Sequence, residues 1–124
     1  MAYTRRMNMQ NNPTIFGKIL RGEIPCNKVF ENEHVLAFHD IAPNAKVHVV
    51  LIPKQHIEWL RHATAADSET LAQLLLAVPQ VAKAAGIFES GYRVIINDGP
   101  DSHGEVPHLH LHILGGQDLG SKIA

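Results

Sequence analysis

The sequence predicts an α+β domain: an antiparallel sheet of about five strands with two helices. Three observations carry that expectation. Short runs rich in Val, Ile and Leu are separated by tight turn signals, as in strands joined hairpin to hairpin. Two stretches with helical spacing sit far apart in the chain rather than alternating with every strand. The last apolar run, Pro107 to Leu114, repeats with period two, which is strand spacing.

The elements follow in order. Thr14 to Arg21 is a short helix, capped by Thr14, with Ile15, Ile19 and Leu20 on its apolar side and Gly22 as its stop. Ile24-Pro25 opens an extended stretch, because the residue before proline avoids helical backbone. Val29 to Glu31 and Val35 to His39 are strands around an Asn32-Glu33 turn. Val47 to Ile52 is nearly all apolar, which predicts a strand buried on both faces and ending at Pro53. Thr64 to Ala85 is the main helix. Thr64 and Asp67 have capping-box spacing, and Leu71, Leu74, Leu75, Val78, Val81, Ala82 and Ala85 recur along one face. Pro79 lacks a backbone donor and predicts a kink there. Tyr92 to Asn97 and Pro107 to Leu114 are the last strands, joined by a loop dense in turn formers.

Composition narrows the function. The chain has 124 residues, 45% of them hydrophobic, enough for one core. Eleven basic and twelve acidic side chains leave a formal charge of −1, so no basic face argues for nucleic acid. Cys26 is the only cysteine, which excludes an internal disulfide and fits a reducing, cytoplasmic setting. No apolar run approaches the ~20 residues that span a membrane. Residues 1–12 are expected to form a flexible polar tail ahead of a single domain over residues 13–124.

Nine histidines stand out, and four of them fall between His103 and His112. Strand alternation places His108, His110 and His112 on one face and Leu109, Leu111 and Ile113 on the other. Three imidazoles are costly as space fillers, since each buried polar group needs a partner. Two functional chemistries remain. His-x-His on a strand can clamp zinc. Alternatively, a neutral imidazole can attack phosphorus near pH 7. The neighbouring loop favours the second: Gly99 and Gly104 can bring backbone N–H groups to phosphate oxygens, and Asn97 can donate a neutral hydrogen bond.

His108-Leu-His-Leu-His-Ile-Leu114 resembles the signature of the histidine triad hydrolases, His-φ-His-φ-His-φ-φ with φ apolar. The resemblance extends over roughly Pro13 to Gly116. It includes Thr14-Ile-Phe-Gly-Lys-Ile, Gly22-Glu-Ile-Pro25, Ala37-Phe-His-Asp-Ile-Ala-Pro43, Ile52-Pro-Lys-Gln-His56 and Gly91-Tyr-Arg. It is strongest to the nucleoside phosphoramidase branch; His112 stands where the nucleotidyltransferase branch has Gln. The resemblance implies hydrolysis of purine nucleoside 5′-phosphoramidates through a nucleotidyl-histidine, with no metal or other cofactor. His110 then matches the nucleophile, His112 a phosphate and leaving-group contact, and His108 the residue whose carbonyl fixes the tautomer of His110. His48 matches a supporting histidine. Asp40 matches the carboxylate on the ribose hydroxyls, with Ile41 beside the nucleoside. Ile15, Phe16, Ile19 and Phe38 match the walls around the base. Asn97 matches a phosphate contact, and His103, Gly104 and Glu105 the segment closing on the phosphate. A homodimer joined edge to edge is also implied.

The chain departs from the family pattern in places. Glu105 stands where Ser or Thr is common, and an ionised carboxylate cannot donate to phosphate. It is therefore expected to face the cleft mouth. His103 replaces a small residue, and Pro107 an aromatic one. His56 fits a structural role, and Trp59 gains no role from the sequence. Two rival functions stand beside the hydrolase: a nucleotide sensor of slow turnover, and a zinc protein using His108, His110 and His112.

Overall fold

In the computed structural model, which describes residues 12–123, Thr14 caps α1 (Ile15–Leu20) by accepting the Gly17 N–H at 3.0 Å. Gly22 ends it with a φ of +78°, a conformation that favours glycine. The expected tail lies outside the described residues except for Asn12. That residue is buried, so the ordered fold includes a position that the sequence assigned to the tail.

Five strands form one antiparallel sheet: β1 (Lys28–Glu31), β2 (Val35–His39), β3 (Val47–Pro53), β4 (Tyr92–Ile95) and β5 (Leu111–Gly115). Their spatial order is β1-β2-β3-β5-β4, so β3 and β5 are central neighbours and β4 is an edge. The pleat divides the core in two. Val35, Ala37, Val49, Leu51, Leu111 and Ile113 face α2 (Ser68–Ala84) and pack on Leu74, Ala77, Val78, Val81 and Ala82. Leu36, Phe38, Val50 and Ile52 point the other way, toward Phe16 of α1. The first face makes the main core. The second makes the floor of a cleft, and His112, paired in register with Val50, belongs to that face.

The main helix begins differently from its expected form. Ala65–Asp67 is a 3-10 turn, and α2 starts at Ser68. The capping box forms with aspartate: the Asp67 carboxylate accepts the Thr64 N–H at 3.0 Å. α2 continues through Pro79. The missing N–H would have served the carbonyl of Leu75, which lies on an exposed turn where water can replace it. Leu75 is 59% exposed and is not part of the buried stripe. It lies ~100° around the helix from Leu74, and Ala77 occupies the core side instead. No helix among the described residues is long and apolar enough to cross a membrane.

β5 is shorter than the expected strand. Residues 107–110 leave the ladder, because their backbone groups bond elsewhere: the His108 N–H to the Val106 carbonyl and the Leu109 N–H to the Ile57 carbonyl. The alternation of side chains nevertheless persists. Leu109 packs in the α2-side core while His108 and His110 face Phe16.

Candidate active site

A cleft of about 570 Å³ opens on the α1 side of the sheet. Every residue assigned to the site from sequence lines it, except His108 and His48, which lie behind the wall. Ile15, Phe16, Ile19, Phe38 and Ile41 make an apolar end. Asn97, His103, Gly104, Glu105, His110 and His112 make the polar end, with Asp40 beside His112. Phe16 is central: its ring meets Phe38 at 5.7 Å and His110 at 5.0 Å, both edge to face.

The tautomers of the histidines follow from backbone groups whose roles are unambiguous. A carbonyl only accepts, so His110 Nδ1 carries a proton and donates it to the His108 carbonyl at 2.7 Å. His110 Nε2 is left with its lone pair. A backbone N–H only donates, so His48 Nδ1 accepts from Asn44 at 3.1 Å. His48 Nε2 therefore bears the proton and donates it to His112 Nδ1 at 2.8 Å. That leaves the His112 proton on Nε2. One neighbouring ring offers a lone pair and the other an N–H, with ring centroids 5.0 Å apart.

Burial keeps these rings uncharged. Desolvation pushes His112 down to about 4, aided by His110 and His48 and opposed by Asp40. Desolvation also lowers His110, against the His108 carbonyl and Asp40. His48 is lowered by burial in the same way, again against Asp40. His108 falls to about 4, mainly through burial. Neutral imidazole is the form that can attack an electrophile.

His108 is fully enclosed. Its Nε2 donates to the Pro53 carbonyl at 2.8 Å and its Nδ1 meets Asn12 Nδ2 at 2.8 Å. Both ring nitrogens are thus committed, so His108 has none for a metal and the zinc clamp of three triad histidines does not assemble. A different set does come together: ligand atoms of Asp40, His48 and His112 lie within 4.8 Å of one another. A metal ion there would have to displace the proton shared by His48 and His112. His56 stacks on His108 at 5.0 Å and donates to the Pro107 carbonyl, a structural role.

The loop at the polar end is braced from outside. The backbone N–H and Nε of Arg61 bind the two Asp98 oxygens at 3.1 and 2.8 Å. Gly99 has a φ of +91°, and a Cβ there would collide with the Arg61 guanidinium. Trp59 packs where a Cβ on Gly104 would meet it at 3.0 Å. His103 holds a left-handed φ of 59°. Trp59, Arg61, Asn12 and Asn44 were not assigned to the site from sequence. Each acts through a contact distant in sequence or through its backbone, so residue type gave no signal. Asp40 turns one oxygen to the Ala42 N–H at 2.8 Å and the other toward His48 at 3.4 Å.

The HIT domain family matches residues 21–119. A 13.2 kDa HIT-like protein of Azospirillum brasilense is 48% identical over 110 residues, covering 88% of this chain and 90% of the relative. A 14 kDa zinc-binding protein of Zea mays is 45% identical over 120 residues, covering 95% and 91%. Among solved structures, the HIT family hydrolase of Clostridium thermocellum superposes with a TM-score of 0.86 at 41% identity, covering 90% of this chain and 97% of that one.

Proposed function

The chain belongs to the HIT domain family, and from that premise we propose that it hydrolyses purine nucleoside 5′-phosphoramidates to a nucleoside monophosphate and an amine. The observation that carries the proposal is the hydrogen bond from His110 Nδ1 to the His108 carbonyl, which leaves a buried, neutral Nε2 lone pair at the cleft. In the first step Nε2 bonds to phosphorus and the P–N bond breaks. The amine leaves with its electron pair and takes up a proton. Water then attacks the nucleotidyl-histidine, releasing the monophosphate and restoring His110. The His112 N–H and backbone N–H groups of the braced loop can meet the negative charge on the phosphoryl oxygens. The apolar end suits a base, and Asp40 suits ribose hydroxyls.

Incubation with adenosine phosphoramidate, with and without chelator, followed by intact mass, tests this reading. AMP should form in both arms, with a transient adenylylated protein. Absence of turnover would leave a nucleotide sensor. Turnover lost with chelator would favour a zinc protein, for which the gathering of Asp40, His48 and His112 is the supporting observation.

A homodimer joined along β4 belongs to the same proposal. β4 has an open edge, and Val94 and Ile96 are exposed on or beside it. Light scattering of the purified chain gives the mass directly.

Two substitutions probe the ends of the cleft. Asp40→Ala should weaken AMP binding by roughly 1.5–3 kcal/mol, the worth of a hydrogen bond to a charged group. Unchanged affinity in a calorimetric titration would remove Asp40 from the ribose. Glu105 is exposed at the rim, and among the described residues no Lys or Arg lines the cleft to pair it with an anionic phosphate. Its carboxylate should therefore sit away from phosphorus and favour leaving groups that carry positive charge. Glu105→Ser should preserve activity on simple phosphoramidates, and Glu105→Gln should narrow the preference for a lysine-like over an aryl amine. A loss above ~100-fold for Glu105→Ser on both substrates, about 2.7 kcal/mol, would instead give the carboxylate a direct catalytic part.

A further inference from the structure

Asn12 sits in front of α1 and is 1% exposed, and both ends of its side-chain amide and its carbonyl are engaged. Its Oδ1 accepts two bonds from Thr14, one from the backbone N–H at 3.1 Å and one from the hydroxyl at 2.7 Å. Its own carbonyl accepts from Arg21 Nη1 at 2.6 Å. Gly17 leaves it room: a Cβ there would come within 2.5 Å of both the Asn12 side chain and its carbonyl oxygen. These contacts fix which end of the amide is which. A backbone N–H can only donate, so the atom facing Thr14 is the oxygen, and the NH₂ group faces His108 Nδ1 at 2.8 Å.

The other side of the ring is fixed as firmly. His108 Nε2 lies 2.8 Å from the Pro53 carbonyl, which can only accept. One nitrogen must therefore hold the proton and the other the lone pair. A proton on Nδ1 would point at the N–H of Asn12, and a second proton on the ring would do the same. His108 is thus clamped as the neutral Nε2–H tautomer between α1 and the end of β3. Its own carbonyl, in turn, is the group that holds His110 Nδ1–H.

We propose that Asn12 is a positioning residue for the triad: by donating to His108 Nδ1 it fixes that ring and, through the placement of the His108 carbonyl, the aim of His110. Asn12 touches no substrate in this arrangement. It couples the segment before α1 to the nucleophile. An asparagine suits the position because it offers an acceptor and a donor at once, so that one side chain can satisfy the first turn of α1 and the buried imidazole together. The effect on turnover rests on the proposed reaction, whereas the tautomers do not.

The test therefore has two readouts. Long-range ¹H–¹⁵N correlation spectra of the full chain at pH 7, without substrate, report which ring nitrogens are protonated. In the unsubstituted protein His108 should be protonated at Nε2 alone and His110 at Nδ1 alone. In Asn12→Ala, His108 should keep its Nε2 proton against the Pro53 carbonyl, but its Nδ1 signal should move to that of a nitrogen without a hydrogen-bond donor, and the His110 Nδ1–H signal should shift and broaden as the His108 carbonyl loses its fixed place. On adenosine phosphoramidate, kcat should fall about 10- to 100-fold with KM little changed, on the scale of losing an outer partner that orients a metal-bound histidine. Should Asn12→Ala fail to fold, Asn12→Ser serves, since its hydroxyl stays near Thr14 but is too short to reach His108. A protonated Nδ1 on His108 in the unsubstituted protein would overturn the proposal. So would His110 ring signals that are the same with and without the Asn12 amide. If the unsubstituted protein does not turn over the phosphoramidate, the proposed reaction fails, and the spectra still decide the role of Asn12.

Discussion

Replacing His110 with alanine is expected to abolish turnover of adenosine phosphoramidate, a loss above about 10⁴-fold, the scale seen when a nucleophile is removed. AMP affinity should change by less than about tenfold, or ~1.4 kcal/mol. The separation follows from the cleft. In the proposed reaction the apolar walls and Asp40 hold most of the nucleotide, while His110 supplies one ring nitrogen to one bond. The pH profile of the unsubstituted enzyme should show the same group. Only neutral His110 has a free lone pair. Burial lowers its pKa below the ordinary value of about 6.5, so the neutral form persists to lower pH than for a solvated histidine. The acid limb of kcat/KM should therefore fall below pH 6.5. Activity surviving in His110→Ala would move the nucleophile elsewhere. An acid limb above pH 7 would contradict the buried, neutral ring.

The two halves of the site differed in how plainly the sequence announced them. The triad was legible because period two is written directly into His108, His110 and His112, and the apolar residues between them had to face a core. The strand's start was not legible. His108 and His110 keep the alternation although residues 107–110 leave the ladder, since Ile57 and Val106 take their backbone bonds. Capping by Thr14 and Thr64 was local chemistry and visible as such. The exposure of Leu75 was not, because a row of leucines at 74, 75 and 76 does not say which one the sheet will cover. Asn12 and Asn44 were the hardest. One works across 96 positions of chain, and the other works through a backbone N–H that any non-proline residue carries. Neither contact leaves a pattern in one sequence. The same holds for Trp59 and Arg61, whose bracing of Gly104 and Asp98 depends on loops that only the folded sheet brings together.

His112→Phe should cost about 10²–10³-fold in kcat, or about 2.7–4 kcal/mol, the range for removing one donor to a developing anion. The hydrogen-bond chain gives the reason. The Asn44 N–H fixes His48, His48 donates to His112, and the remaining His112 proton sits on Nε2 at the polar end of the cleft. This N–H is present without net charge on the ring, because burial holds His112 at about 4. Phenylalanine keeps the ring's bulk and removes the donor, so a role in packing alone predicts little loss. His112→Gln restores an N–H on a flexible stem and should recover part of kcat over the phenylalanine variant. His48→Phe should act in the same direction but more weakly: His112 stays in place, and only the group that directs its proton toward the cleft is lost. KM should move less than kcat in all three, since the bond strengthens as charge collects on the phosphoryl oxygens. Single-turnover kinetics on adenosine phosphoramidate separates the steps. A His112→Phe enzyme that forms and hydrolyses the nucleotidyl-histidine at unsubstituted rates would reduce His112 to a wall of the cleft.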